Sequence, residues 1–299
     1  RYATLSAAHL EGDQQDRYRG ALRSVQATAL DEMIQRRTAE GRPLPSTLGE
    51  LAFDAADPDS TAPTPPATAH MDLERAITFL SLLAAENPIR PFEVTVKRDK
   101  LGRAMMDLSS EMGLTSKPGS RVFEAAKIAH DVLAGTNATM TIVKWGAVGV
   151  GLTAIVVATG GLALAAGAGL AGAAAITSAL AAFGPGGMVG GLVTAGALVS
   201  AGGGGIAFGL ASPATSAAAL EAFVERRLAI EVLRMLEGLD PEPTTWRVFA
   251  DTEIELRREF ERLDEYSDES APSIKELKQK LVVIERSLKY LREKGRAPA

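Results

Sequence analysis

The run WGAVGVGLTAIVVATGGLALAAGAGLAGAAAITSALAAFGPGGMVGGLVTAGALVSAGGGGIAFGLASPATSAAAL, residues 145–220, decides how the rest of the chain is read. Its 76 residues hold no Asp, Glu, Lys, Arg, His, Asn or Gln, in a chain that is 23% charged. Alanine (23), glycine (19) and large apolar residues (23) make up nearly all of it, and nine Ser and Thr hydroxyls are its only polar side chains. A stretch of this composition is not a solvated surface. Its backbone amides need partners inside regular elements, and its side chains need protein or lipid around them.

The block divides at its own punctuation. Residues 142–159 are a first apolar piece, Gly160-Gly161 separates it from 162–183, and Gly184-Pro185-Gly186-Gly187 is a turn before 188–210. A helix over 22 residues is ~33 Å long, which matches the ~30 Å hydrocarbon thickness of a bilayer. Two such helices across a four-residue turn make an antiparallel hairpin. Small residues one turn apart (Gly169 and Gly172 with Ala165 and Ala168, Gly187 with Gly191, Gly205 with Gly209) let helix backbones approach closely. These glycines, with Gly184 and Pro185, are the candidate membrane-inserting and packing residues. Leu, Ile, Val and Phe contribute only about −0.3 to −0.6 kcal/mol each to insertion, and Ala and Gly outnumber them here. Insertion is favourable without being overwhelming, as suits a hairpin that amphipathic helices cover.

The flanks supply such helices. Over 13–41, Tyr18, Leu22, Val25, Ala29 and Met33 recur at helical spacing, and Gly41 with Pro43 closes the element. Residues 46–53 add a turn or two. ADPDSTAPTPPATA, residues 56–69, holds four prolines and no large apolar group, and reads as a surface linker open to proteases. Helices are expected over 72–86, 100–112 and 120–133, with Ser120 as an N-cap after a Lys117-Pro118-Gly119 turn. Residues 92–97 alternate apolar and polar, as a lone short strand would.

Charge returns at Glu221, within an amphipathic helix over 216–236. Trp246, Phe249, Glu253, Leu256, Phe260 and Leu263 then step by three and four, and Ile274, Leu277, Leu281, Ile284, Leu288 and Leu291 repeat the steps. Ser273 with Glu276 forms a capping box before the second series. The pair reads as an antiparallel coiled-coil hairpin, and Leu277, Leu281, Ile284 and Leu288 are the candidate partner-binding residues.

The expected organisation is an all-α chain: an N-terminal helical segment (1–55), the proline-rich linker (56–69), a helical subdomain (70–140), the apolar block (141–213), an amphipathic helix (214–240) and the coiled-coil hairpin (244–295).

Chemistry is sparse. Gly167-Ala-Gly169-Leu-Ala-Gly172 matches G-x-G-x-x-G, but the next acidic residue is Glu221, far beyond the ~20 positions a dinucleotide ribose requires. His9, His70 and His130 are isolated, and cysteine is absent, so no metal, disulfide or thiol site is expected. No cofactor is expected and no enzyme. A net charge of −5 leaves no basic field for nucleic acid.

The layout of 162–183, the Gly184–Gly187 turn and 188–210 resembles that of helical pore-forming proteins such as colicin channel domains, where amphipathic helices enclose an Ala/Gly-rich hairpin. The resemblance covers about one-sixth of the chain, which departs from it in the extra piece 142–159 and the charged C-terminal hairpin. It implies insertion and permeabilisation. The expected partners are a lipid membrane and a second copy or another helical protein, and the expected location is a membrane, reached without a signal peptide. Usage of Ala, Gly and Arg looks bacterial. The competing reading is a non-enzymatic scaffold acting through the coiled coil.

Overall fold

A computed structural model describes residues 1–54, 57, 59–134, 204–212, 215–264 and 271–298. The described residues are helical, with no strand among them. The elements are α1 (Tyr2–Ala8), α2 (Gly12–Ala39), α3 (Ser46–Glu50), α4 (Leu73–Ala84), α5 (Arg98–Glu111), α6 (Lys117–Ala134), α7 (Gly204–Ala211), α8 (Ala217–Leu236), α9 (Pro243–Asp264) and α10 (Pro272–Glu293). They form two compact units, Arg1–Ser120 and Arg121–Ala299.

In the first unit α1 packs on α2 and α5, and α4 on α5. Ala3, Ala7, Leu10, Tyr18, Ala21 and Ile89 form one apolar cluster. The expected stripe on α2 is only half used: Tyr18 is buried, but so are Ala21 and Leu30, while Met33 lies exposed. Residues 92–97 form no strand. A ladder needs a neighbouring strand, and here Val94 and Val96 rest on the Tyr18 cluster instead. The preceding Arg90-Pro91 bond is cis.

The proline-rich stretch lies within this unit and is tied down. Arg1 Nη1 donates to the Pro65 carbonyl at 3.2 Å, and Arg23 Nη2 donates to the carbonyls of Asp54 (2.7 Å) and Asp57 (2.6 Å). Arg1 also grips Glu111, whose carboxylate accepts from the Thr68 hydroxyl at 3.3 Å. Lys117-Pro118-Gly119 is the first turn of α6 and not a separate turn. Proline suits that place, since the first helical amides lack intrahelical partners, and Ser120 sends its hydroxyl to the Lys117 carbonyl at 2.8 Å rather than capping.

In the second unit α10 packs against both α8 and α9, and α9 also packs against α7. Polar contacts fix the directions. Arg121 meets the Leu236 carbonyl while His130 meets Glu225, so α6 and α8 run antiparallel. Glu276 meets Ala217 while Arg296 meets Glu231, so α8 and α10 run parallel. With α9 folded back on α10, the unit is an up-and-down helical bundle.

The expected C-terminal hairpin is present as α9 and α10, but it is embedded in this bundle. Ile274, Leu277, Ile284, Leu288 and Leu291 are buried as the heptads require, and Lys280, Val283 and Ser287 widen the buried face to meet α8. On α9 the inner residues are Thr245, Val248, Phe249, Thr252 and Leu256. The seam is rotated from the expected one because α9 packs against α7 and α8 as well as α10, and Glu253 sits beside it, accepting from Arg257 Nη2 at 2.7 Å. No capping box forms: α10 begins at Pro272, and Glu276 is used elsewhere.

Candidate functional site

Three side chains of α10 hold backbone groups of the described chain on either side of the apolar block. On the upstream side, in α6, the Leu133 carbonyl accepts from Arg286 Nη1. One turn back, His130 Nδ1 lies 3.2 Å from Glu225 Oε1 of α8.

The downstream end is the elbow between α7 and α8. Lys280 Nζ donates to the Ser212 carbonyl, just past the end of α7, at 2.9 Å. Glu276 Oε1 accepts the Ala217 amide at the start of α8 at 3.0 Å. A cation at a helix C-terminus and an anion at an N-terminus both complement the helix dipoles. These two residues lie one turn apart on α10, so a single face of one helix brackets the elbow. The elbow also caps itself: Ser216 Oγ accepts the Ala219 amide at 3.2 Å, and the Thr215 hydroxyl reaches the Gly209 carbonyl at 2.7 Å.

Burial sets the electrostatics of this region. Lys280 is 1% exposed, and desolvation lowers its pKa against the opposing pull of Glu276 and Glu259. Burial likewise raises the pKa of Glu225 and of Glu221, which the His130 ring offsets in part. A second buried network locks the far end of the unit. Glu231, 2% exposed, accepts from Arg296 Nε at 2.7 Å, while Arg296 Nη1 holds the Leu239 carbonyl.

Chain comparisons add nothing to this geometry. No family model, curated protein or solved structure matches the chain.

The structure places the sequence-derived site residues unevenly. Gly169, Gly172, Gly184, Pro185, Gly187 and Gly191 lie outside the described residues. Gly205 belongs to α7. Gly209 is on α7 too, but a Cβ added there would meet nothing within 4 Å, so no close helix approach depends on it here. Leu277, Ile284 and Leu288 are buried within the unit and Leu281 is half-buried. All four belong to α10, which packs against α8 and α9 of the same chain.

Sequence reasoning passed over Lys280 and Arg286 and gave Glu276 only a capping role beside Ser273, whereas these three do the bracketing. One signal was available: Lys280, Val283 and Ser287 form a stripe beside the leucine seam, spaced three and four apart. A small or apolar second stripe means a second neighbour, and a lysine on it must find a buried acceptor.

None of the contacts described supplies a nucleophile beside a base. Among the described residues no group of three or more His, Asp or Glu is placed to hold a metal ion. No described helix is long and apolar enough to cross a membrane. The first unit has a cavity of about 320 Å³ between α1, α2, α4 and the proline-rich stretch, walled by Leu22, Phe79, Leu83, Pro88 and Leu108.

Proposed function

We propose that this chain is a membrane-associated helical protein whose Gly/Ala-rich block (141–213) inserts as a hydrophobic hairpin, forming a pore or perturbing the bilayer. One observation carries the reading: 76 consecutive residues, 145–220, without a charged or amide side chain, in a chain whose described helices on either side are charged. Such a block needs an apolar environment, and its longer pieces have the ~30 Å length that a bilayer offers. The bundle supports the reading by burying most of its own large apolar side chains. Its outer face carries ion pairs such as Arg257–Glu285, Arg258–Glu255 and Arg262–Glu259, each worth little to stability but suited to water.

α7 modifies the hairpin. Ala207 and Ala211 are buried and α7 lies on α9, so the last part of the third apolar piece belongs to the bundle. The test is flotation with vesicles. The intact chain floats, and a variant in which a Gly/Ser linker replaces 135–203 stays at the bottom of the gradient. Failure of the intact chain to float with any lipid composition overturns the proposal.

A second reading has one observation of its own. Ile254 on α9 (48% exposed) and Val282 on α10 (41% exposed) are large apolar side chains left in water. They favour a scaffold that docks a helical partner on that outer face. Sedimentation separates the two readings, since Ile254→Ser with Val282→Ser would change assembly and leave flotation intact.

A further inference from the structure

α10 is a basic element in an acidic chain. Residues 272–296 hold eight Lys and Arg against three Glu, whereas the whole chain has a net charge of −5. Three of the eight cations are used inside the second unit: Lys280 on the Ser212 carbonyl, Arg286 on the Leu133 carbonyl and Arg296 on Glu231. Packing sorts the others. Ile274, Leu277, Ile284, Leu288 and Leu291 are buried as α10 packs against α8 and α9. Helical periodicity then leaves Lys275, Lys278, Lys289 and Arg292 on the outer side, where all four are exposed. From Lys275 to Arg292 this stripe is ~26 Å long at 1.5 Å per residue.

Aromatic rings lie against the stripe. Arg292 Cζ stands 5.8 Å from the centroid of the Trp246 ring, and Lys278 Nζ 5.7 Å from that of Phe260. Both rings belong to α9 and are half-buried. Tyr290, half-buried on α10, has its centroid 5.7 Å from Lys294 Nζ. Long cationic side chains beside half-exposed aromatic rings are the make-up of a membrane interface. There Lys and Arg reach headgroup phosphates, and aromatic rings sit at the boundary with the acyl chains.

Resting on the membrane reading above, we infer that the outer face of α10 docks the second unit on anionic lipid headgroups. The acids of this face take little from its charge. Glu276 turns inward to the Ala217 amide, Glu285 accepts from Arg257 Nη2 at 2.6 Å, and Glu293 lies 3.9 Å from Lys289. On α9, Glu255 and Glu259 pair with Arg258 and Arg262 of their own helix. A nucleic-acid backbone would engage the cations but offers no apolar layer for the rings.

A Lys or Arg at an anionic surface strengthens partition ~5-fold, so four together are worth roughly several hundred-fold. The test combines Lys275→Gln, Lys278→Gln, Lys289→Gln and Arg292→Gln in the full chain, with circular dichroism to check the fold. Arg17→Gln, Arg19→Gln, Lys97→Gln and Arg103→Gln, at exposed positions of the first unit, remove the same charge elsewhere. Flotation measures partition to vesicles of phosphatidylcholine alone and with phosphatidylglycerol added. The unsubstituted chain should bind the anionic vesicles more tightly, and salt should weaken that gain. The α10 variant should lose roughly several hundred-fold of its partition to anionic vesicles, and the first-unit variant should keep it. Unaltered binding by the α10 variant, or equal losses in both variants, overturns the inference and leaves the membrane reading standing. So does an α10 variant whose sedimentation changes while its vesicle binding does not, the outcome of a helical partner on this face.

Trp145→Phe leaves Trp246 as the sole tryptophan. Phosphatidylcholine brominated near its headgroup, mixed with phosphatidylglycerol, should quench its emission. Unquenched emission from floated protein overturns the inference. If the unsubstituted chain floats with no vesicle, the membrane reading falls and takes the inference with it.

Discussion

Glycine 119, in the first turn of α6, tolerates no side chain. A Cβ built there would lie 2.2 Å from the Met105 carbonyl oxygen, 2.5 Å from its carbon and 2.7 Å from the Met106 nitrogen. All three are backbone atoms of α5, so no rotamer change relieves the overlap. Non-bonded heavy atoms rest at about 3.5 Å, so the two backbones must part by ~1 Å along a face that also buries Met105 and Leu108. Overpacking of this kind costs about 1–3 kcal/mol, and parted backbone lies at the upper end. The intrinsic helix gain of alanine over glycine, ~0.5–1 kcal/mol, offsets part of it. Gly119→Ala should therefore lose about 2 kcal/mol in urea unfolding of the first unit, a fall of several degrees in Tm for a domain of this size. Gly102→Ala is the control. Gly102 is also helical, but its Cβ would meet nothing within 4 Å, so the same change should gain ~0.5–1 kcal/mol. Equal effects at the two sites would refute the close crossing of α5 and α6.

The bracket predicts that Lys280→Met loses about 1–2 kcal/mol, because the Ser212 carbonyl loses a charged donor while a buried charge is removed, and Glu276→Gln loses about 1 kcal/mol at the α8 N-terminus. Hydrogen exchange should speed up at 205–217 in both, and unchanged exchange would refute the bracket. Acid should act oppositely on the two units. Arg1, bonded to Glu111, holds that carboxyl below its usual range, so its stabilisation is present above the unfolded pKa and lost as pH falls through the folded one. Glu221 and Glu225 are raised by burial, so their ionised forms cost stability that is recovered as pH falls through their folded pKa towards the ordinary carboxylate value. Urea midpoints followed by exchange should rise slightly for the second unit before they fall for the first, and Glu225→Gln should diminish that rise. Arg23→Leu should speed proteolysis within 54–60, since Arg23 donates to the Asp54 and Asp57 carbonyls; unaltered cleavage would refute that tether.

The helices were legible because their signals are local. The helices expected from 72 and from 216 start there, with Asp72 and Ser216 capping α4 and α8 through their side chains, although the caps expected at Ser120 and Ser273 do not form; Gly41 ends the long α2 with φ 64°, and most of the α10 seam is buried as its heptads indicate. What sequence could not supply was the number of neighbours around each helix. α9 and α10 read as a two-helix coiled coil because a heptad describes one seam. The contacts with α7 and α8 are long-range, and they rotate the face of α9 and bury Lys280. The same gap hid the role of Glu276. In sequence it is the natural partner of Ser273, whereas in space it accepts the amide of Ala217. The glycine pattern of the block was legible as composition only, since 169–191 lie outside the described residues.

The most direct test of the central claim is dye release from vesicles. The account predicts that purified protein releases a trapped dye in proportion to dose, and that Gly187→Leu, which fills a small-residue position, releases less. Vesicles that stay sealed at every pH and lipid composition, with the protein left in the aqueous phase, would contradict it.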